Sequence, residues 1–141
     1  MVFSNNHSDN IVLLVEDEVL IALSTSDWIR ANGYRVVTVH TGESAVQAVI
    51  TCPEIKLVLM DIELGSGMDG IDAASKIIEY TDTPVAFLST CVKEDVHEKL
   101  DRVPYVAYIQ KLEYGRKLLD TIEEKLGSGR TSPKQLKKKS Q

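Results

Sequence analysis

The sequence predicts a doubly wound α/β domain, a five-stranded parallel sheet with helices on both faces. Two observations carry this. Short apolar runs of strand length alternate with stretches whose apolar residues recur every three or four positions, five of each along 141 residues. The first run is apolar throughout and the third is apolar but for Lys56, as in strands buried on both faces, and strands joined through helices pair in parallel by right-handed crossovers.

Residues 11–15 form the first strand, ending at the acidic cluster Glu16-Asp17-Glu18. A helix over about 19–32 follows, with Leu20, Ile21, Leu23, Trp28 and Ile29 on helical spacing and Gly33 as its stop. Residues 36–39, rich in β-branched side chains, make the second strand. Thr41-Gly42 opens a short helix carrying Ala45, Val46 and Val49 on one side. The most apolar strand, 55–60, runs directly into Asp61. A glycine-rich loop, Gly65-Ser66-Gly67, leads to a third helix over about 69–80 with Ile71, Ala74, Ile77 and Ile78. Pro84 precedes the fourth strand, 85–88, which stops at Ser89-Thr90. Val92, Val96, Leu100 and Val103 give the stripe of a fourth helix. Residues 105–110 form the fifth strand and end at Lys111, and Tyr114, Leu118, Ile122 and Leu126 mark the last helix.

The organisation expected is a disordered start over 1–9, a single domain over 10–126 and a flexible tail over 127–141, where apolar periodicity gives way to Gly, Ser, Pro and Lys. The tail carries five bases and no acids, so the net charge of −5 conceals a body of −10 over residues 1–126. An acidic body is a poor surface for nucleic acid, whose phosphates need clustered Lys and Arg. No apolar run reaches the roughly 20 residues that span a bilayer, and the first ten residues lack a signal-peptide pattern. Cys52 and Cys91 lie far apart without a metal-binding spacing, and His7, His40 and His97 show none either, so a cytoplasmic location with reduced thiols is expected.

Ligands of an open parallel sheet bind outside the carboxyl ends of the strands, near the point where strand order reverses. Those ends carry Glu16 and Asp17, then Asp61, then Ser89 and Thr90, then Lys111. Three carboxylates at one rim repel one another unless a cation offsets them, and an all-oxygen set suits Mg²⁺, which uses one or two carboxylates and completes its shell with water and substrate phosphate. Asp61 is the natural nucleophile of such a set, because a carboxylate can attack phosphorus and form an aspartyl phosphate. Lys111 would pair with Asp61 at rest and with a phosphoryl oxygen afterwards, and Ser89 would bond another oxygen.

These residues resemble the receiver domain of bacterial two-component systems, of the single-domain, chemotaxis-regulator-like type. The resemblance rests on Leu14-Val15-Glu16-Asp17-Glu18, Leu57-Val58-Leu59-Met60-Asp61, Met68-Asp69-Gly70, Pro84-Val85-Ala86-Phe87-Leu88-Ser89 and Lys111, in that order. It implies a flavodoxin-like sheet of order 2-1-3-4-5. It implies a phosphorelay in which a phosphohistidine, on a sensor histidine kinase or phosphotransfer protein, is the donor and Asp61 the acceptor. Mg²⁺ (or Mn²⁺) would be held by Glu16, Asp17, Asp61 and the backbone carbonyl of Glu63. Ser89 and Tyr108 would form the switch, read by a downstream protein on the face of the fourth helix, fifth strand and fifth helix. The Glu63 side chain and Cys91 would set the lifetime of the phosphorylated state.

The sequence departs from the pattern twice: Leu112 stands where most receivers have a proline, placing the usual cis peptide in question, and the Gly65-Ser66-Gly67 loop is one residue longer, with Gly for Pro. The expected protein is a signalling receiver that assists its own phosphorylation and dephosphorylation. It is not a turnover enzyme, no DNA-binding domain is expected in this chain, and a homodimer is left open. Two rivals stand beside it. Asp61-Ile62-Glu63 superficially fits a haloacid-dehalogenase-type phosphatase, although that family's nucleophile ends its first strand. A non-phosphorylated receiver-like adaptor, its basic tail touching RNA or membrane, is the other.

Overall fold

The computed structural model describes residues 10–65, 67–90, 97–111 and 114–127. Five strands and five helices alternate: β1 (Ile11–Val15), α1 (Val19–Ala31), β2 (Arg35–Val39), α2 (Gly42–Thr51), β3 (Ile55–Asp61), α3 (Gly70–Tyr80), β4 (Val85–Ser89), α4 (His97–Leu100), β5 (Ala107–Gln110) and α5 (Tyr114–Leu126). All strand pairs are parallel, in the order β2-β1-β3-β4-β5. The predicted doubly wound, flavodoxin-like sheet is therefore the observed one.

The alternating side chains of the sheet feed two cores. Leu13, Val15, Val58, Met60 and Phe87 point to one face, where Val49, Ile71, Ile77 and Leu100 from α2, α3 and α4 cover them. Val12, Leu14, Leu57, Leu59 and Leu88 point to the other, under Ile29 of α1 and Leu118 and Ile122 of α5. Being buried on both faces is why β1 and most of β3 read as unbroken apolar runs.

The stripe expected on α1 is corrected by the structure. Leu20 and Leu23 are 81% and 57% exposed; Ile29 of the expected stripe does face the sheet, together with Ala22, Thr25 and Ser26. These sit at spacings of three to four, so they share one side of the helix, and their small size lets α1 lie close to β1 and β2. Trp28 is half-buried against the same core. The fourth helix also ends earlier than its stripe suggested, at Leu100, and Val103 is buried beyond it in a turn, whereas Val92 and Val96 lie outside the described residues. β5 starts at Ala107 rather than 105, and the Tyr105 ring ahead of it packs edge-on against Phe87 with ring centroids 5.6 Å apart.

Local signals fix the helix ends that matter for the site. Gly33, with φ 95°, stops α1 as predicted. Thr41 caps α2 by accepting from the Ser44 amide at 3.0 Å, and Asp69 caps α3 by accepting from the Asp72 amide at 2.8 Å. Gly70 allows a close approach of two backbones: a Cβ there would overlap the carbonyl oxygen of Asp61. The glycine of Met68-Asp69-Gly70 is thus what lets α3 begin against the end of β3. Lys99 of α4 pairs with Asp69 at 2.7 Å, and although partial burial works against ionisation, Lys99 and the Asp72 amide hold the Asp69 carboxyl below its usual range.

Candidate functional site

Parallel strands end together, so the polar residues that terminate them meet. β1 delivers Glu16 and Asp17, and β3 ends on Asp61; carboxylate oxygens of the three lie within 4.8 Å of one another. Glu16 and Asp61 are buried, 1% and 2% exposed, and Asp17 is the most open of the three. Lys111, which follows β5 directly, reaches back across the rim: its Nζ donates to Glu16 Oε1 at 2.8 Å and to Asp61 Oδ2 at 3.2 Å. Two of these partners are nearly 100 and 50 positions away in the chain, brought together by the sheet.

One ammonium serves two buried carboxylates, and the shorter bond goes to Glu16. Asp61 is left undercompensated. Burial, reinforced by the neighbouring Glu16 carboxylate, pushes its pKa up to about 7, against the opposing pull of Lys111 and of the Glu63 amide. Lys111 is held above the ordinary lysine range, since its bonds to Glu16 and its attraction to Asp61 outweigh the burial that works against its charge.

Backbone amides orient the carboxylates. Asp61 Oδ1 accepts from the Glu63 amide at 3.1 Å, Asp17 Oδ2 from the Gly65 amide at 2.8 Å, and Glu16 Oε2 from the Glu18 amide at 3.3 Å. Asp17 thereby ties the rim to the loop after β3, which Glu43 of α2 also holds by accepting from the Met68 amide at 3.2 Å.

Ser89 closes β4 and is fully buried, one position beyond Leu88, the register partner of Asp61. Tyr108 lies on β5 opposite Phe87 and is 7% exposed, packed in the core under α2, α3 and α4. Glu63 is exposed at the rim, and its carboxylate accepts from Thr90 at 2.9 Å. Cys91 lies outside the described residues, as do Leu112 and residues 1–9 and 128–141; no peptide bond is cis among the described residues.

Pattern reading missed two features of this site. It paired Lys111 with Asp61 alone, and it did not foresee Thr90 touching Glu63. The polar end of each strand was the available signal for both, but which end groups touch is decided by side-chain reach.

The chain matches known proteins along most of its length. A family model described as response regulator receiver domain covers residues 12–123. The transcriptional regulatory protein PdtaR of Mycobacterium tuberculosis is 34% identical over 102 residues, 71% of this chain and 48% of its own length. This chain thus spans about half of that curated relative. The N-terminal domain of a response regulator/sensory box/GGDEF three-domain protein from Carboxydothermus hydrogenoformans superposes with a TM-score of 0.72 at 36% identity, covering 82% of this chain and 92% of that one. The receiver domain of the sensor histidine kinase PA1611 from Pseudomonas aeruginosa, solved with a magnesium ion coordinated in its active-site cleft, superposes at 0.75 with 25% identity, covering 84% and 98%.

Proposed function

The chain belongs to the response regulator receiver domain family, and from that premise we propose that it accepts a phosphoryl group on Asp61 from a phosphohistidine and relays a signal through the change in shape that follows. The observation that carries this reading is the buried Asp61, sharing one ammonium with Glu16 at a rim of three carboxylates.

The donor set fits a divalent cation. It is all oxygen, it carries more negative charge than Lys111 offsets, and it lies beside an open strand-end surface where a phosphate can complete the coordination. Glu16, Asp17 and Asp61, with the carbonyl of Glu63, would hold Mg²⁺ or Mn²⁺. When bound, such an ion would offset charge on the phosphoryl oxygens and favour the ionised form of Asp61.

Transfer forms a bond from an Asp61 carboxylate oxygen to phosphorus and breaks the phosphorus–nitrogen bond, whose electron pair stays on the donor imidazole. Two bonds fix the nucleophile before this happens, the Glu63 amide on one oxygen and Lys111 on the other. Lys111 is placed to follow the new charge, exchanging its contact with Asp61 for a phosphoryl oxygen. Ser89 supplies a hydroxyl to a second oxygen, and Tyr108, buried on β5 opposite Phe87, transmits the shift. The added charge, about −2 at neutral pH, favours the state in which Ser89 is drawn in. A downstream protein reads the outcome on the face of α4, β5 and α5. The exposed Val19, Leu20 and Leu23, just past Asp17 at the rim, offer apolar surface to the kinase or phosphotransfer protein.

We assign the chain to signalling in the cytoplasm; no described helix is long and apolar enough to cross a membrane. Glu63 and Cys91 are the proposed determinants of phosphoryl lifetime. Incubation with acetyl phosphate and Mg²⁺, followed by intact mass, tests the reading. The wild type gains one phosphoryl group, and Asp61→Asn gains none. Continued turnover of phosphate esters by an unlabelled chain would instead indicate a phosphatase.

A further inference from the structure

The ends of β3 and β4 are joined by a side-chain bond that the transfer scheme does not use. Thr90 Oγ1 donates to Glu63 Oε1 at 2.9 Å across 27 positions of sequence. Both residues are exposed, so core packing does not impose this contact. Glu63 is also the residue whose amide touches the nucleophile, donating to Asp61 Oδ1 at 3.1 Å. Its side chain therefore departs from a backbone fixed on Asp61, and the Thr90 hydroxyl is one of the groups that hold the carboxylate.

A glutamate at the surface ordinarily spreads over many rotamers, and its charge is diluted over that volume and screened by salt. A hydroxyl bonded to the ionised form confines it. Beside a nucleophile that must receive an anion, a confined carboxylate raises the electrostatic barrier to entry. We propose that Thr90 is a positioning residue that pins the Glu63 carboxylate at the mouth of the site, so that Glu63 slows entry of an anionic phosphodonor to Asp61. This rests on Asp61 being the acceptor.

The experiment measures initial rates of Asp61 labelling by acetyl phosphate at saturating Mg²⁺, by intact mass, for wild type, Glu63→Gln, Thr90→Val, Thr90→Ser and the Glu63→Gln/Thr90→Val double variant, at low and high ionic strength. Glu63→Gln and Thr90→Val should each label about threefold faster or more, as removal or release of one nearby charge in a solvated site allows. The double variant should be no faster than Glu63→Gln, and Thr90→Ser, which keeps the hydroxyl, should restore the slower rate. Added salt should speed the wild type more than Glu63→Gln, a response that loss of a merely structural contact would not produce. The role of Thr90 is overturned if Thr90→Val labels at the wild-type rate, if the two single effects multiply, or if Thr90→Ser behaves as Thr90→Val. A wild type that takes no label overturns this proposal together with the acceptor reading, whereas a labelled wild type with an inert Thr90→Val removes only the role of Thr90.

Discussion

Lys111 and Asp61 are the residues on which the site balances. Replacing Lys111 by Met leaves two carboxylates buried, 1% and 2% exposed, with no ammonium between them. Breaking a buried ion pair from one side destabilises by about 3 kcal/mol in the general case. Proton uptake by Asp61 relieves part of that, so a loss of roughly 1–3 kcal/mol is expected for Lys111→Met in chelator at neutral pH, read by urea unfolding. Asp61 gives the opposite sign. Its pKa rises on folding, from 3.8 to about 7, so the folded state binds the proton more tightly than the unfolded one. The stability this provides is complete below the unfolded value and is lost as pH climbs through the folded value. Asp61→Asn has no such loss. In chelator, the melting temperature of Asp61→Asn should therefore exceed that of wild type by a margin that grows from pH 5 to pH 8. A margin independent of pH would contradict the shift.

Among the elements, α1 and α3 show how far local pattern reaches. Helical spacing located α1 correctly but assigned Leu20 and Leu23 to its inner side, because the larger apolar residues weigh most in such a reading. The side that meets the sheet carries Ala22, Thr25, Ser26 and Ile29, where close approach matters more than side-chain size. Ile29→Ala is accordingly expected to lose about 2–4 kcal/mol, while Leu20→Gln and Leu23→Gln change stability by less than about 0.5 kcal/mol; chemical denaturation measures both. At the start of α3, Gly70→Ala should destabilise by about 2 kcal/mol or more, since the new methyl would have to displace the backbone at Asp61. Strands were easier to read. β1, β3 and β4 are buried on both faces, so their composition alone set them apart, whereas the start of β5, where Tyr105 and Val106 continue the apolar pattern outside the strand, was misplaced by two residues.

On the scale of the whole molecule, the sheet turns four sequence-distant strand ends, those of β1, β3, β4 and β5, into one rim. The membership of that rim was legible, because parallel strands finish on the same side and each ends on a polar residue. Its wiring was not. The bonds from Lys111 to Glu16 and from Thr90 to Glu63 depend on side-chain length and on the exact stagger of β1, β3, β4 and β5, which no periodicity encodes. The rim also predicts linkage: Mg²⁺ bound only by the folded chain should raise the melting temperature in a concentration-dependent way, and Asp17→Asn should weaken that rise. The most direct test of the account follows the phosphoryl group itself. Reduction of the acetyl phosphate-treated chain with borohydride converts an aspartyl phosphate to homoserine, and peptide mapping then locates it. The account predicts homoserine at position 61 alone; homoserine at another aspartate, or phosphate recovered on a serine or histidine with position 61 unchanged, would contradict it.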